Sequence, residues 1–516
     1  MAGETRSDPS NCEYGSIFLR AFGRKRAGVL ASCIFLSMAG GFSAQAQNLT
    51  DVVELAERVP QSVTTRHTGR FNGQELAYSA IVAEYYVQDE HGRDGAAVVT
   101  IAYVREGQPA AHRPVMFAFN GGPGASSSPL HLSALGPVRR TPQDGQGWSD
   151  NPFSPLDEFD LVFIDPVGTG FSRPFSGVDA KSWFSQSSDA TAAASVIERW
   201  LIANGREASP IYLTGESYGT VRAATILKER PDLSFDGLVL IGLVGRPEGN
   251  EMPYVVTLPT MAAAAWYHRR IERTASLRQT FDAALEFART EYVSALIKGD
   301  SLSSAERREM AVKMSAFIGL PAELIEARNL RLSKNDLMFN LLKTDGLRTG
   351  SLDVRVTGPL EPGQLGGIDD PALGVVPSRG AGTPVTPPTP QSVGPIANPV
   401  LKKYLNEDLK FQSIEPYYGL NLAVNGAWDN SRSFDANSAI GDALARNSAM
   451  RVFWAAGLYD LSTPVYLGRY TLDHAGVPTD RLTALYFEGP HGVYEGEENL
   501  EAFNRALREF VHAGRR

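Results

Sequence analysis

Three side chains spread along a chain of 516 residues could together perform acyl transfer: Ser217, Asp460 and His491. Ser217 is the centre of Gly215-Glu216-Ser217-Tyr218-Gly219, which follows the apolar run Ile211–Leu213 and precedes a helical stretch, Thr220–Glu229. A serine at the tip of a tight strand-to-helix turn has its hydroxyl pushed clear of the sheet, and flanking glycines let the backbone bend that sharply. In a chain with 49 glycines the five letters alone carry little. The strand before them and the helix after them carry the signal. A serine hydroxyl is a poor nucleophile at neutral pH, so it needs a base, and the base needs an orienting acid. In sheets of this type the order is serine, acid, histidine, each on a loop at the C-terminal end of a strand. Asp460 ends Ala455-Ala-Gly-Leu-Tyr-Asp460 after the apolar run Met450–Trp454, and His491 sits in Glu488-Gly-Pro-His-Gly492 after Leu482–Phe487. Of the other histidines, His67, His91, His112 and His131 precede the serine, His268 lies in a helical stretch, and His474 and His512 fall in helical or tail segments.

A fourth element is Asn120-Gly121-Gly122-Pro123-Gly124, directly after the run Val115–Phe119. A glycine-rich turn there exposes backbone N–H groups, and those of Gly122 and Tyr218 would form a two-donor oxyanion hole. The helix behind Ser217 adds the positive end of its dipole. A phosphate loop is the competing reading. It lacks the following Gly-Lys-Ser/Thr, and Pro123 removes a donor.

These groups need a scaffold that brings distant loops to one edge. Residues 63–104 alternate in polarity and predict antiparallel strands at Gly69–Phe71, Leu76–Tyr86 and Ala97–Tyr103. The short apolar runs Pro114–Phe119, Asp160–Ile164, Pro210–Leu213 and Phe235–Ile241 follow, with helical periodicity at Ser188–Ile202. Short apolar strands alternating with helices predict a mixed, mostly parallel sheet with helices on both faces. The pattern then breaks. Met261–Thr274, Leu277–Lys298, Ser304–Ile318 and Pro321–Arg328 read as helices, and a segment rich in proline and glycine, 358–398, reads as an exposed mobile loop. Sheet-like runs resume near the end, before a closing helix at Glu498–His512. The expected organisation is an α/β domain in two parts, 47–250 and 401–516, interrupted by a helical cap over 251–400.

Composition bounds the function from outside. Apolar residues at 43% and charged residues at 21% describe an ordinary globular chain, and a net charge of −9 argues against nucleic-acid binding. Arg20, Arg24, Lys25 and Arg26 precede the apolar run Ala27–Phe42, and Ala44-Gln45-Ala46 supplies small residues at a cleavage site. Residues 1–46 therefore read as a secretory signal peptide, short of the length a bilayer span needs. A lipoprotein site at Leu30-Ala-Ser-Cys33 is the weaker alternative, because the apolar run continues past it. Cys12 and Cys33 both precede the proposed cut, so the exported chain, periplasmic or secreted, would carry no disulfide, no cysteine nucleophile and no thiolate metal site.

Asn120-Gly-Gly-Pro-Gly124, Asp165-Pro-Val-Gly-Thr-Gly-Phe-Ser172, Gly215-Glu-Ser-Tyr-Gly219, the Gly457-x-x-Asp460 loop and Gly489-x-His491 together resemble the serine carboxypeptidase family. The resemblance covers most of 115–245 and 450–495. It implies an α/β-hydrolase fold, release of single residues from the free C-terminus of a peptide, no metal or other cofactor, and often an acidic pH optimum. It also implies that Asn120 and Glu216 hold the substrate carboxylate. Glutamate can donate to a carboxylate only when protonated, so binding should weaken as Glu216 ionises, while the base must be neutral. Departures from the family pattern stand at Ala118 for a tryptophan, Ala134 for a second glutamate, Ala125 for a cysteine and Gly492 for a bulkier residue. Ala118 and Ala134 leave open an esterase, amidase or acyltransferase on the same triad. Monomer and homodimer are both compatible with the sequence.

Overall fold

The computed structural model describes residues 59–109, 112–140, 147–362, 364, 366–374 and 393–514. The proposed leader, both cysteines and the centre of the proline-rich segment lie outside them. One large sheet organises the rest. Its strands are β1 (Ser62–Phe71), β2 (Gln74–Gln88), β3 (Asp94–Arg105), β4 (Val115–Phe119), β5 (Asp160–Ile164), β6 (Ile211–Glu216), β7 (Gly237–Ile241), β8 (Arg451–Gly457) and β9 (Leu482–Phe487). The spatial order is β1-β2-β3-β5-β4-β6-β7-β8-β9, with the short strand Arg173–Pro174 paired beside β3. β1, β2, β3 and β5 pair antiparallel in succession, and every later pairing is parallel. The mixed sheet expected from the apolar runs is present as an α/β-hydrolase arrangement.

The strands read as continuous apolar runs because both faces are covered. Along β4, Val115, Phe117 and Phe119 enter one buried cluster while Met116 and Ala118 enter the other. The first cluster is closed by helices α1 (Gln186–Ala203) and α2 (Tyr218–Glu229), the second by the C-terminal helix Glu497–Gly514 and by Leu401 and Tyr404. Period-two alternation thus sorts every second side chain to the opposite layer.

The N-terminal ends of the central strands are tied by a buried ion cluster. Asp160 opens β5 and accepts from Arg113 Nε at 2.7 Å, Arg206 Nη1 at 2.5 Å and the Arg105 N–H at 2.9 Å. Arg206 also donates to the Arg113 carbonyl at 2.6 Å. All three charged side chains are almost wholly buried. Removing one member of such a group leaves uncompensated charge, which costs more than the pairing contributes. Asp160→Ala is therefore expected to lower unfolding stability by about 3–5 kcal/mol, read as a lower urea midpoint at unchanged slope. A loss under about 1 kcal/mol would mean that the two arginines find water or other acceptors.

Between β7 and β8 the chain is largely helical. Ser304–Ile318 forms as predicted, with a capping box joining Ser303 and Glu306. The predicted helix Leu277–Lys298 is interrupted by a π segment at Ala288–Tyr292. The predicted helix Met261–Thr274 instead spans Met252–Tyr267 and contains Pro259. A proline inside a helix removes one hydrogen bond, a cost that the buried run Met261–Ala265 on this helix offsets. The segment 358–398 is not a loop throughout. Thr357–Pro359 pairs with Leu347–Thr349, and Pro395–Ala397 pairs with Tyr418–Asn421. Residues 375–392 lie outside the described residues. No helix among the described residues is long and apolar enough to cross a membrane.

Candidate active site

Ser217 stands between β6 and α2 with φ 58° and ψ −128°, a left-handed conformation that a side-chain-bearing residue adopts only at a cost of roughly 1–3 kcal/mol. It is held there from both sides. Its N–H continues the β6–β7 ladder to the Ile241 carbonyl at 2.9 Å, and its carbonyl accepts from the Thr220 N–H at 2.8 Å and the Thr220 hydroxyl at 2.7 Å. The glycines on either side are required by close approach. A Cβ at Gly215 would lie 2.2 Å from the Gly219 carbonyl, and one at Gly219 would lie 2.7 Å from the Phe119 carbonyl. Serine at a helix N-cap ordinarily spends its hydroxyl on the first turn; that of Ser217 does not.

His491 and Asp460 arrive on the loops after β9 and β8. His491 Nδ1 donates to Asp460 Oδ2 at 2.7 Å, and the Asp460 carboxyl is wholly buried. Asp460 Oδ1 accepts from the N–H groups of Ser462 at 2.8 Å and Thr463 at 3.0 Å, and the Thr463 hydroxyl donates to Oδ2. Burial alone would raise this carboxyl. The neighbouring imidazole and the Thr463 hydroxyl and N–H outweigh burial and hold Asp460 below the usual carboxylate range. On His491, burial favours the neutral ring, but Asp460, and behind it Glu216 and Glu495, raise its pKa above the ordinary histidine value. The ring's hydrogen bonds run through Nδ1, so Nε2 is left for the cavity.

Both loops are braced by one stretch from the helical region. The His491 N–H donates to the Leu352 carbonyl at 2.8 Å, while those of Leu461 and Ser462 donate to the Ser351 carbonyl at 2.8 and 3.1 Å. Ser351 is in turn held by the buried Asp370, which accepts from its N–H at 2.8 Å. Gly242 completes the support, since a Cβ there would lie 3.2 Å from His491 Cε1.

Ser217 and His491 open into one cavity of about 450 Å³, shared with Asn120, Gly121, Gly122 and Glu216. Gly121 passes so close to α2 that a Cβ on it would lie 2.3 Å from the Tyr218 nitrogen. This approach puts the glycine loop beside the first N–H of α2, which no helical carbonyl can accept. Gly122 has φ 101°, open only to glycine at low cost. Arg222, one turn along α2, clamps the same loop. It donates to the Asn120 carbonyl at 2.6 Å and to the buried Asp189 at 2.7 Å. Asn120 Nδ2 donates to Glu216 Oε1 at 3.0 Å, and the Tyr494 hydroxyl donates to Glu216 Oε2 at 2.7 Å. Burial pushes the Glu216 carboxyl above its ordinary value, against His491 and the two donors.

The seven residues singled out by sequence are thus at one place. Five of them line the cavity; Asp460 lies behind the wall in contact with His491, and Tyr218 approaches through its backbone nitrogen beside Gly121. His131 is buried elsewhere, against the Tyr103 hydroxyl at 2.7 Å. Asp165 lies outside the cavity lining and holds the Ser127 N–H and hydroxyl at 2.9 and 2.7 Å, buttressing the stretch after the glycine loop. Thr463, Tyr494, Arg222 and the Ser351–Asp370 pair were not legible beforehand. Thr463 had a local signal, three positions after an aspartate in a turn. The others had none.

Residues 102–271 match the family model for serine carboxypeptidase. The resemblance drawn from the motifs is borne out. Serine carboxypeptidase-like 36 of Arabidopsis thaliana is 34% identical over 158 residues, which are 29% of this chain and 31% of that protein. Serine carboxypeptidase-like 37 of the same plant is 32% identical over 123 residues, 22% of this chain and 24% of that protein. The match therefore spans a third or less of the curated relatives' length. Among solved structures, a prohormone-processing carboxypeptidase, Kex1, from Saccharomyces cerevisiae superposes with a TM-score of 0.52 at 16% identity, over 84% of this chain and 92% of that one. At that identity the likeness shows the shared fold. The serine carboxypeptidase match itself includes the glycine loop and the Ser217 turn but ends before Asp460 and His491.

Proposed function

We propose that this protein is an exported serine carboxypeptidase releasing C-terminal residues from peptides through an acyl-enzyme on Ser217. The observation that carries the reading is the shared cavity. A serine hydroxyl in an elbow, an imidazole oriented by a buried aspartate, and a Glu216–Asn120 pair all face the same space. His491 takes the Ser217 proton as the hydroxyl attacks the scissile carbonyl, then returns it to the leaving amine. The N–H groups of Gly122 and Tyr218 receive the oxyanion. Water, deprotonated by His491, releases the acyl group. Asn120 and protonated Glu216 hold the free carboxylate of the substrate. The stretch 251–400 acts as the cap, since Leu352, Ile368 and Asp370 line the cavity. Residues 1–46 act as the leader that exports it to periplasm or medium.

The carboxylate reading has a sharp pH consequence. Glu216 must be protonated to donate, so cleavage of free-acid peptides should fall as pH rises through its raised pKa. Glu216→Gln keeps a donor at every pH. Its alkaline limb of kcat/KM should therefore disappear for a blocked dipeptide acid and stay unchanged for the corresponding amide. Equal changes on both substrates would remove the carboxylate-holding role. The second reading, an esterase, amidase or acyltransferase, is favoured by Ala134, which is wholly buried and brings no polar atom to the site. Indifference of the wild type to the free carboxylate would select it.

A further inference from the structure

Glu216 has both carboxyl oxygens engaged, one by a residue that the motifs do not contain. Oε1 accepts from Asn120 and Oε2 from the Tyr494 hydroxyl, at 3.0 and 2.7 Å. Tyr494 is 3% exposed and lies three positions after His491 on the same loop. A single loop thus supplies an imidazole that shares the cavity with Ser217 and a hydroxyl that grips the residue before Ser217. We propose that Tyr494 is a positioning residue of this site, holding the Glu216 carboxyl against Asn120 and favouring its ionised form. The link between Glu216 and substrate rests on the reading above; the effect of Tyr494 on Glu216 does not.

The chemistry follows from the sign of the partner. Two carboxyls in contact hold one proton between them, because both cannot ionise. A phenol at the same carboxyl acts in the opposite sense, since its O–H is a donor to the anion. Ala134 and Tyr494 lie in the same buried cluster, and only the tyrosine reaches Glu216 with a polar atom. The other groups that bear on Glu216 are also defined. Burial and the charge of Glu495 raise it, while His491, Tyr494 and Asn120 lower it. Tyr494 is itself held well above the ordinary phenol value by burial and by the Glu216 charge, so it remains a donor throughout the working pH range. Its bond also joins the base-bearing loop to the nucleophile turn, two segments 278 positions apart in sequence.

The test uses the full chain and follows the Glu216 carboxyl directly, as the infrared carbonyl band that is absent from Glu216→Gln. In Tyr494→Phe the band should titrate at least about one pH unit higher, the displacement expected for losing one charge-assisted hydrogen bond. A fluorotyrosine placed at 494, a stronger donor with the ring and hydroxyl retained, should move it lower. The alkaline limb for a free-acid peptide should shift in the same direction in each variant, with the amide limb unmoved. An unchanged midpoint in both variants overturns the proposal, as does a Tyr494→Phe band moving downward. If Tyr494→Phe does not fold, the fluorotyrosine protein decides alone. Equal wild-type cleavage of acid and amide would sink the carboxypeptidase reading, while the infrared shift would still decide the role of Tyr494.

Discussion

Ser217→Ala is expected to lower kcat by about 10⁶-fold, close to 8 kcal/mol of transition-state stabilisation, without unfolding the protein. The size follows from the loss of the covalent route, since no other group at this position can carry the acyl chain. The retained fold follows from what the Ser217 side chain does in the resting protein. Its hydroxyl caps nothing, and the bonds that hold the turn run through its N–H and carbonyl. Alanine tolerates the positive φ about as poorly as serine, so the strain of the elbow is little changed. Residual activity should come from the oxyanion N–H groups and binding alone. The measurement is single-turnover hydrolysis of a chromogenic blocked peptide, together with labelling by a fluorophosphonate. A variant retaining more than about a hundredth of wild-type kcat would place the nucleophile elsewhere.

Asp460→Asn should cost about 10⁴-fold in kcat, roughly 5.5 kcal/mol, with native stability largely retained. The geometry sets the reason. Oδ1 accepts two backbone N–H groups, from Ser462 and Thr463, and only an oxygen can take that place. The amide nitrogen of asparagine must then occupy the Oδ2 position, facing His491 Nδ1. A donor there forces Nδ1 to accept and puts the ring proton on Nε2, the atom that must receive the Ser217 proton. The base is present in the wrong tautomer.

The same substitution should move the pH profile in a defined direction. Activity requires neutral His491, so it rises as pH passes the His491 pKa. The Asp460 charge, in hydrogen-bond contact with Nδ1, is the main influence raising this pKa against burial. Without the Asp460 charge the acid limb of kcat/KM for an amide substrate should move to lower pH, even as the plateau falls. A limb that stays in place would show that Glu216 and Glu495, rather than Asp460, hold the imidazole. In the wild type the raised His491 makes the acid limb sit above that of an ordinary histidine, so an amide substrate should favour a higher pH than the acidic optimum the family resemblance implies.

Much of the scaffold was legible because its causes are local. The runs Pro114–Phe119, Asp160–Ile164 and Leu482–Phe487 became β4, β5 and β9 within a residue, since a strand covered on both faces shows as an unbroken apolar run. Ser304–Ile318 was found at its true ends because its cap and its left-handed Gly319 are local signals. The helix at Met252–Tyr267 begins nine residues before the periodicity predicts, with Pro259 inside it, because burial against its neighbours outweighs the lost hydrogen bond. The N-terminal strands β1 to β3 run longer than their alternating cores suggest, since ladder partners extend them through polar positions.

The site divides along the same line. Ser217, Asp460, His491, Asn120 and Glu216 stand out by residue type beside a strand end, and Gly122 and Tyr218 by their place in the turns, because the proposed chemistry restricts what can serve there. That Tyr494 grips Glu216, that Leu352 accepts from the His491 N–H, and that Arg222 clamps the Asn120 loop were decided only when the chain closed. Turn chemistry and hydrophobic period act over a few residues and are written in them. A hydrogen bond between residues hundreds of positions apart depends on how layers pack, and many sequences with these motifs could have packed another donor against that carboxyl.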